Sequence, residues 1–148
     1  MGDLRDVEEL ARIAIDCGFK IHERLGPGLL ESVYEAILAA SLERSDIKAD
    51  RQKPIDIQFD DLTFLDSFRV DLLLNDRLII EVKSIEALGK VHGKQVLTYL
   101  GLMDLPLGLL MNFGAATFRE GVKRVVNNHS FASSRLRVNQ PFSSGLPQ

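Results

Sequence analysis

The amino-acid sequence predicts an α/β fold: one mixed central β-sheet with helices packed against it. Three observations lead there. Apolar residues recur at steps of three and four through two early stretches, which is the spacing of a helix face. After Pro54 they change to steps of two, the spacing of a strand. Late in the chain, Leu107 to Phe113 is almost wholly apolar, the mark of a strand buried on both faces.

The elements follow in order. From Leu4 to about Leu25, the residues Leu10, Ala14, Cys17, Ile21 and Leu25 form one helical stripe, and Gly26-Pro27-Gly28 ends it. A second helix is predicted from about Leu29 to Arg44. Its expected core face is Leu30, Val33, Ile37, Ala40 and Ser41, with Glu31, Tyr34, Glu35 and Leu38 as a separate stripe. Ile55, Ile57 and Phe59 alternate with Asp56 and Gln58 in a first strand, and Asp60-Asp61 is a turn. Phe68 to Leu74 and Leu78 to Ser84 read as two more strands joined around Asn75-Asp76-Arg77. A helix from about Ala87 to Met103 follows, with Leu88, Val96, Leu100 and Met103 facing the core and Pro106 stopping it. Leu107 to Phe113 and Gly121 to Asn127 complete the sheet.

The chain has 148 residues, 45% of them hydrophobic, enough for one domain with a real core. The expected domain is residues 1–129, with a flexible C-terminal tail over 130–148, where Ser, Pro, Asn and Arg dominate and Phe131 or Phe142 could dock. No membrane span and no secretory leader are expected, which places the protein in the cytoplasm. The one cysteine, Cys17, excludes an internal disulfide and any multi-cysteine metal site, and is expected to be a buried structural thiol. A net charge of -3 argues against a surface built broadly for nucleic acid. Two local basic clusters remain, Lys48, Arg51 and Lys53, and Lys90 with Lys94. No glycine-rich phosphate loop, nucleophile elbow or dinucleotide fingerprint is present.

The segment that carries chemistry runs from Asp71 to Lys83. Asp71, Glu81 and Lys83 stand in otherwise apolar strands, where a charge is costly unless paired or bound to a metal. Glu81 and Lys83 share a face because they are two residues apart. Two carboxylates beside a lysine suit a hard divalent cation such as Mg²⁺, which takes oxygen ligands and keeps waters that could attack phosphorus. The carbonyl of Val82 is a further oxygen ligand, and Lys83 can steady the water and offset phosphate charge. Hairpin parity sets a condition. A two-residue loop at Asn75-Asp76 puts Asp71 opposite Ile80, on the wrong face. A three-residue loop from Asn75 to Arg77, or a bulge, puts it opposite Glu81. Spacing alone also fits an ion pair between Lys83 and Asp71 or Glu81 on a solvated face.

Asp71 followed by Glu81-Val82-Lys83 resembles the PD-(D/E)xK nuclease superfamily. Gly28-Leu29-Leu30-Glu31-Ser32-Val33-Tyr34 is similar to the motif of its GxxExxY family, and Gln95-Val96-Leu97-Thr98-Tyr99 to the QxxxY motif of RecB-type nucleases. The resemblance spans roughly residues 8 to 127, with Val70 where the superfamily has proline. It implies a restriction-endonuclease-like core and a Mg²⁺- or Mn²⁺-dependent nuclease hydrolysing phosphodiester bonds, in DNA first. It assigns Glu31, Asp71, Glu81 and Val82 to the metal. Lys83 is the implied catalytic lysine, acting with Asp71, Glu81, Gln95 and Tyr99. Gln95 and Tyr99 are four residues apart, hence on one helix face. Tyr34 is three residues after Glu31 and can stack or hydrogen-bond beside it.

A non-catalytic module of the same fold, binding nucleic acid or a protein, is the competing expectation. A plain structural oligomer with a vestigial site is a third. A homodimer or protein partner would help so small a chain grip a duplex. Of the histidines, His92 falls near Gln95 and could touch phosphate, while His22 and His129 are expected on the surface.

Overall fold

The computed structural model describes residues 4–128, with side chains from Asp6 onward. His129 and the expected tail over 130–148, Phe131 and Phe142 included, lie outside the described residues. The order is α1 (Leu4–Leu25), α2 (Glu31–Glu43), β1 (Ala49–Phe59), β2 (Leu62–Leu74), β3 (Leu78–Lys83), α3 (Lys90–Met103), β4 (Leu107–Asn112), α4 (Phe118–Gly121) and β5 (Val122–Val126). The five strands form one sheet in chain order. β1–β2, β2–β3 and β4–β5 are antiparallel, while β3 and β4 run parallel with α3 as their connection. No helix among the described residues is long and apolar enough to cross a membrane.

Two apolar layers sandwich the sheet. On one face α1 and α2 pack against Leu72, Leu74, Ile80, Val82, Leu109 and Met111. On the other, Val96 and Leu100 of α3 pack against Leu73, Ile79 and Leu110. Strand alternation delivers the two sets to opposite faces. β4 is buried along its whole length, as its continuous apolar run requires.

α1 places Leu10, Ala14 and Ile21 in the core as the stripe predicts, but Leu25 is exposed. Gly26 closes the helix with φ +71°, donating its N–H to the His22 carbonyl at 2.7 Å; a glycine suits this left-handed cap. Cys17 is half-buried, not buried, at a groove of about 400 Å³ between α1 and α2. Partial burial raises its thiol pKa. The expected surface position of His22 is corrected. Its ring is buried and its Nε2 lies 3.0 Å from the carbonyl of Ala115, because the unpredicted turn of helix α4 covers this end of α1.

The expected core face of α2 is reversed. Leu30 is 73% and Val33 38% exposed, and Tyr34, Glu35, Leu38, Ala39 and Leu42 are buried instead. Both stripes have helical spacing, and tertiary packing chooses between them. Tyr34 stacks on Phe113 with centroids 4.5 Å apart. Its hydroxyl donates to the Gly26 carbonyl and accepts from Leu29 N–H. The aromatic ring thereby pins the α1–α2 connection to the end of β4.

β1 and β2 begin earlier than predicted and form a long hairpin turning at Asp60-Asp61. Its outer half is an arm with Phe59, Leu62, Phe64 and Leu65 exposed. The register shifts between Ile55 and Ile57, where β2 carries extra residues around Asp66. α3 starts at Lys90 rather than Ala87.

Candidate functional site

The β2–β3 hairpin meets the parity condition. Leu74 pairs with Leu78, Leu73 with Ile79 and Leu72 with Ile80, so Asn75, Asp76 and Arg77 form a three-residue loop. Asn75 and Asp76 take left-handed φ values of 50° and 58°, a conformation these two residue types tolerate. The next pair along would be Asp71 and Glu81.

At that point the ladder ends and side chains take over. Asp71 Oδ2 accepts the Val82 N–H at 2.8 Å, and Glu81 Oε2 accepts the Asp71 N–H at 2.9 Å. The strands fork, and two carboxylates fill the fork with bonds to the backbone. Alternation breaks here too. Val70 packs with the α3 layer and Leu72 with the α1–α2 layer, although residues two apart share a face in a regular strand.

Glu81 is 5% exposed. Burial and the facing Asp71 push its carboxyl up to about 8, against the pull of the Asp71 N–H and of Lys83. Two facing acids with one strongly desolvated call for a positive charge between them. Glu81 Oε1 has no hydrogen bond among the described residues, so one oxygen of this buried acid is uncommitted. The donor set, carboxylates with a nearby carbonyl, fits a hard divalent cation. No group of three or more His, Cys, Asp or Glu side chains is gathered tightly enough to hold a metal among the described residues. The two acids in the fork are Asp71 and Glu81, each bonded to the backbone of the other's strand.

The other expected residues are placed unevenly. Lys83 is half-buried and forms no direct ion pair with either carboxylate, so the structure does not contain the surface ion pair. Its charge still lowers the Glu81 pKa. Val82 is buried and its N–H serves Asp71. Tyr99 stacks on Phe68 with centroids 4.2 Å apart. Its phenol pKa is raised by burial and then by the charges of Glu81 and Asp71. Gln95 is exposed on α3 and makes no side-chain hydrogen bond among the described residues. Glu31 stands at the first turn of α2, where its Oε2 accepts the Ser84 N–H at 3.2 Å, and the Ser84 hydroxyl donates to the Leu29 carbonyl at 2.6 Å. That double tie docks the start of α2 onto the residue after Lys83. The His92 ring accepts the Gly89 N–H at 2.9 Å and caps α3.

Glu35 and Gln52, which the sequence gives no role, and Arg51, which it places in a basic cluster, adjoin the candidate site. Glu35 is buried at its edge, Arg51 Nε donates to Glu35 Oε2 at 3.0 Å, and Gln52 Nε2 donates to Glu35 Oε1 at 2.8 Å and to Asp71 Oδ1 at 3.1 Å. The spacing of Glu35, four residues after Glu31, was the available signal. Arg51 and Lys48 are therefore spent on acids; Lys48 lies 3.5 Å from Asp50 and 3.4 Å from Asp76.

A family model described as the PD-(D/E)XK nuclease superfamily matches residues 8–125. No curated protein matches the chain.

Proposed function

Because this chain belongs to the PD-(D/E)XK nuclease superfamily, we propose that it is a metal-dependent nuclease of the GxxExxY type that hydrolyses phosphodiester bonds in DNA. The observation that carries this reading is the Asp71–Glu81 pair in the β2–β3 fork, with Glu81 buried and its acid pushed up to about 8. Asp71, Glu81 and the Val82 carbonyl would hold Mg²⁺ or Mn²⁺, with Glu31 approaching the ion from α2. Such an ion supplies Lewis acidity at the phosphate and a more acidic water.

The chain's own residues do the rest. Lys83 is on the Glu81 face of β3 and offsets charge building on the phosphate. Tyr99 closes the site from α3 and offers its phenol to water or phosphate, and Gln95, one helical turn before it, extends that wall. Glu31 fixes the end of β3 through Ser84, which holds Lys83 in register. Of the two basic clusters, Lys53, Lys90 and Lys94 are left to steer the backbone of a nucleic acid.

A non-catalytic binding module is the second reading, favoured by the net charge of -3 and by the pairing of Lys48 and Arg51 with acids. A cleavage assay separates the two. Single- and double-stranded DNA and RNA are incubated with Mg²⁺, Mn²⁺ or EDTA. Asp71→Ala and Lys83→Ala should each lower metal-dependent cleavage by about 100-fold or more. Cleavage that survives both substitutions refutes the active-site assignment, and binding without cleavage supports the module.

A further inference from the structure

We propose that Gln52 is a positioning residue for Asp71, and that Glu35 is the acid on α2 that governs the carboxylate pair through it. The inference rests on the metal-site reading above and deepens it.

Gln52 sits in β1 between Arg51 and Lys53, which pair with Leu72 and Val70, so it faces Asp71 across the hairpin. A primary amide has two N–H donors, and Gln52 spends them on two different carboxylates, Glu35 Oε1 at 2.8 Å and Asp71 Oδ1 at 3.1 Å. Asp71 is thus gripped at both oxygens, Oδ1 by Gln52 and Oδ2 by the Val82 N–H at 2.8 Å. Glu35 is gripped at both as well, because Arg51 Nε takes Oε2 at 3.0 Å. Four side chains, Arg51, Glu35, Gln52 and Asp71, therefore form one continuous line from the sheet edge to the fork.

The backbone bears the mark of this arrangement. Gln52 has φ +50° inside a strand, a left-handed conformation that costs a glutamine free energy and persists only where the surroundings enforce it. What surrounds it here is the pair of amide bonds to Glu35 and Asp71, together with the Arg69 guanidinium, which donates to the Gln52 carbonyl at 3.3 Å. Glu31, one turn earlier on α2, is engaged differently, its Oε2 accepting the Ser84 N–H at 3.2 Å.

The test exploits the strain. Gln52→Gly relieves the left-handed backbone and removes the amide, so strain and positioning move in opposite directions. Mn²⁺ binding is read by calorimetry and metal-free stability by thermal unfolding. Gln52→Gly and Gln52→Met should weaken Mn²⁺ binding by about 10- to 100-fold, as loss of an outer hydrogen-bond partner does. The metal-free Tm of Gln52→Gly should stay equal or rise. Glu35→Gln, which keeps an acceptor for Gln52 but removes the charge, should weaken binding less than Gln52→Gly.

Undiminished Mn²⁺ binding by Gln52→Gly overturns the inference while leaving the nuclease reading intact. So does a loss in Glu35→Gln larger than that in Gln52→Gly, since Glu35 would then act other than through Gln52. A parent protein that takes up no Mn²⁺ or Mg²⁺ overturns the nuclease reading itself, and this inference with it.

Discussion

Replacing Glu81 with glutamine should make the metal-free protein more stable at neutral pH while removing its response to metal. Glu81 has an ordinary carboxyl pKa of 4.5 once unfolded and about 8 in the fold, raised first by burial and then by Asp71. The folded state therefore holds the proton more tightly than the unfolded chain. Below pH 4.5 both states are protonated and nothing is lost. As pH climbs from there towards 8, the unfolded chain gives up its proton and the fold does not, so stability falls throughout that window. Each pH unit in the window is worth about 1.4 kcal/mol, which makes the cost at pH 7 about 3 kcal/mol. Glutamine carries no such cost and can still accept the Asp71 N–H through its amide oxygen.

The expected gain for Glu81→Gln at pH 7 is about 1–3 kcal/mol, or a Tm higher by roughly 3–9 °C. The gain should vanish near pH 4.5, where the parent carboxyl is already neutral. Thermal unfolding across pH, with and without Mg²⁺, measures both effects. Mg²⁺ should raise the Tm of the parent more at pH 8 than at pH 5.5, and should leave the variant unmoved. A variant less stable than the parent at pH 7, or equally shifted at pH 4.5 and 7, would refute the claim that a buried, mutually repelling acid pair defines the site.

Two further outcomes follow from the packing. Tyr34→Phe keeps the stack on Phe113 but strips the Leu29 N–H of its acceptor and the Gly26 carbonyl of its donor. A loss of about 1–2 kcal/mol in denaturant unfolding is expected, and an unchanged midpoint would show that water replaces both bonds at no cost. A Cβ added at Gly18 would come within 2.4 Å of the Phe118 ring, so Gly18→Ala should destabilise by about 1–3 kcal/mol. Phe118→Leu in the same chain should recover part of that loss, and strict additivity of the two in a double-mutant cycle would show that they do not interact.

Much of the fold could be read from the sequence because periodicity is enforced by burial. The full burial of β4, the apolar runs of β2 and β3 at Leu72–Leu74 and Leu78–Ile80, and the α3 core positions Val96 and Leu100 are all visible in residue order. The face of α2 was not. Leu30, Val33 and Ile37 form as good an apolar stripe as the one that is buried, and the true face contains Glu35, whose burial makes sense only once Arg51 and Gln52 are in place. The burial of His22 is hidden for a similar reason, since the segment that covers it lies far along the chain and is too short to announce itself. Within the site, Asp71, Glu81 and Lys83 stood out as charges in apolar strands. Gln52 did not, because a polar residue at the start of an edge strand is ordinary. Its left-handed backbone and its double bond to Glu35 and Asp71 exist only in three dimensions.

β2 is turned at both ends, and the two turns have opposite tolerances. The outer one, at Asp60-Asp61, caps an arm whose register already shifts before it reaches the sheet. The inner one sets the parity that brings Asp71 opposite Glu81, with no irregularity between turn and fork to absorb an extra residue. Lengthening the outer turn alters only the arm, whereas adding a single residue between Asn75 and Arg77 would rotate one acid out of the fork. The arm tip is thus the place to splice a tag or a fusion partner, and the inner turn is a natural point at which to switch the site off without touching any residue in it.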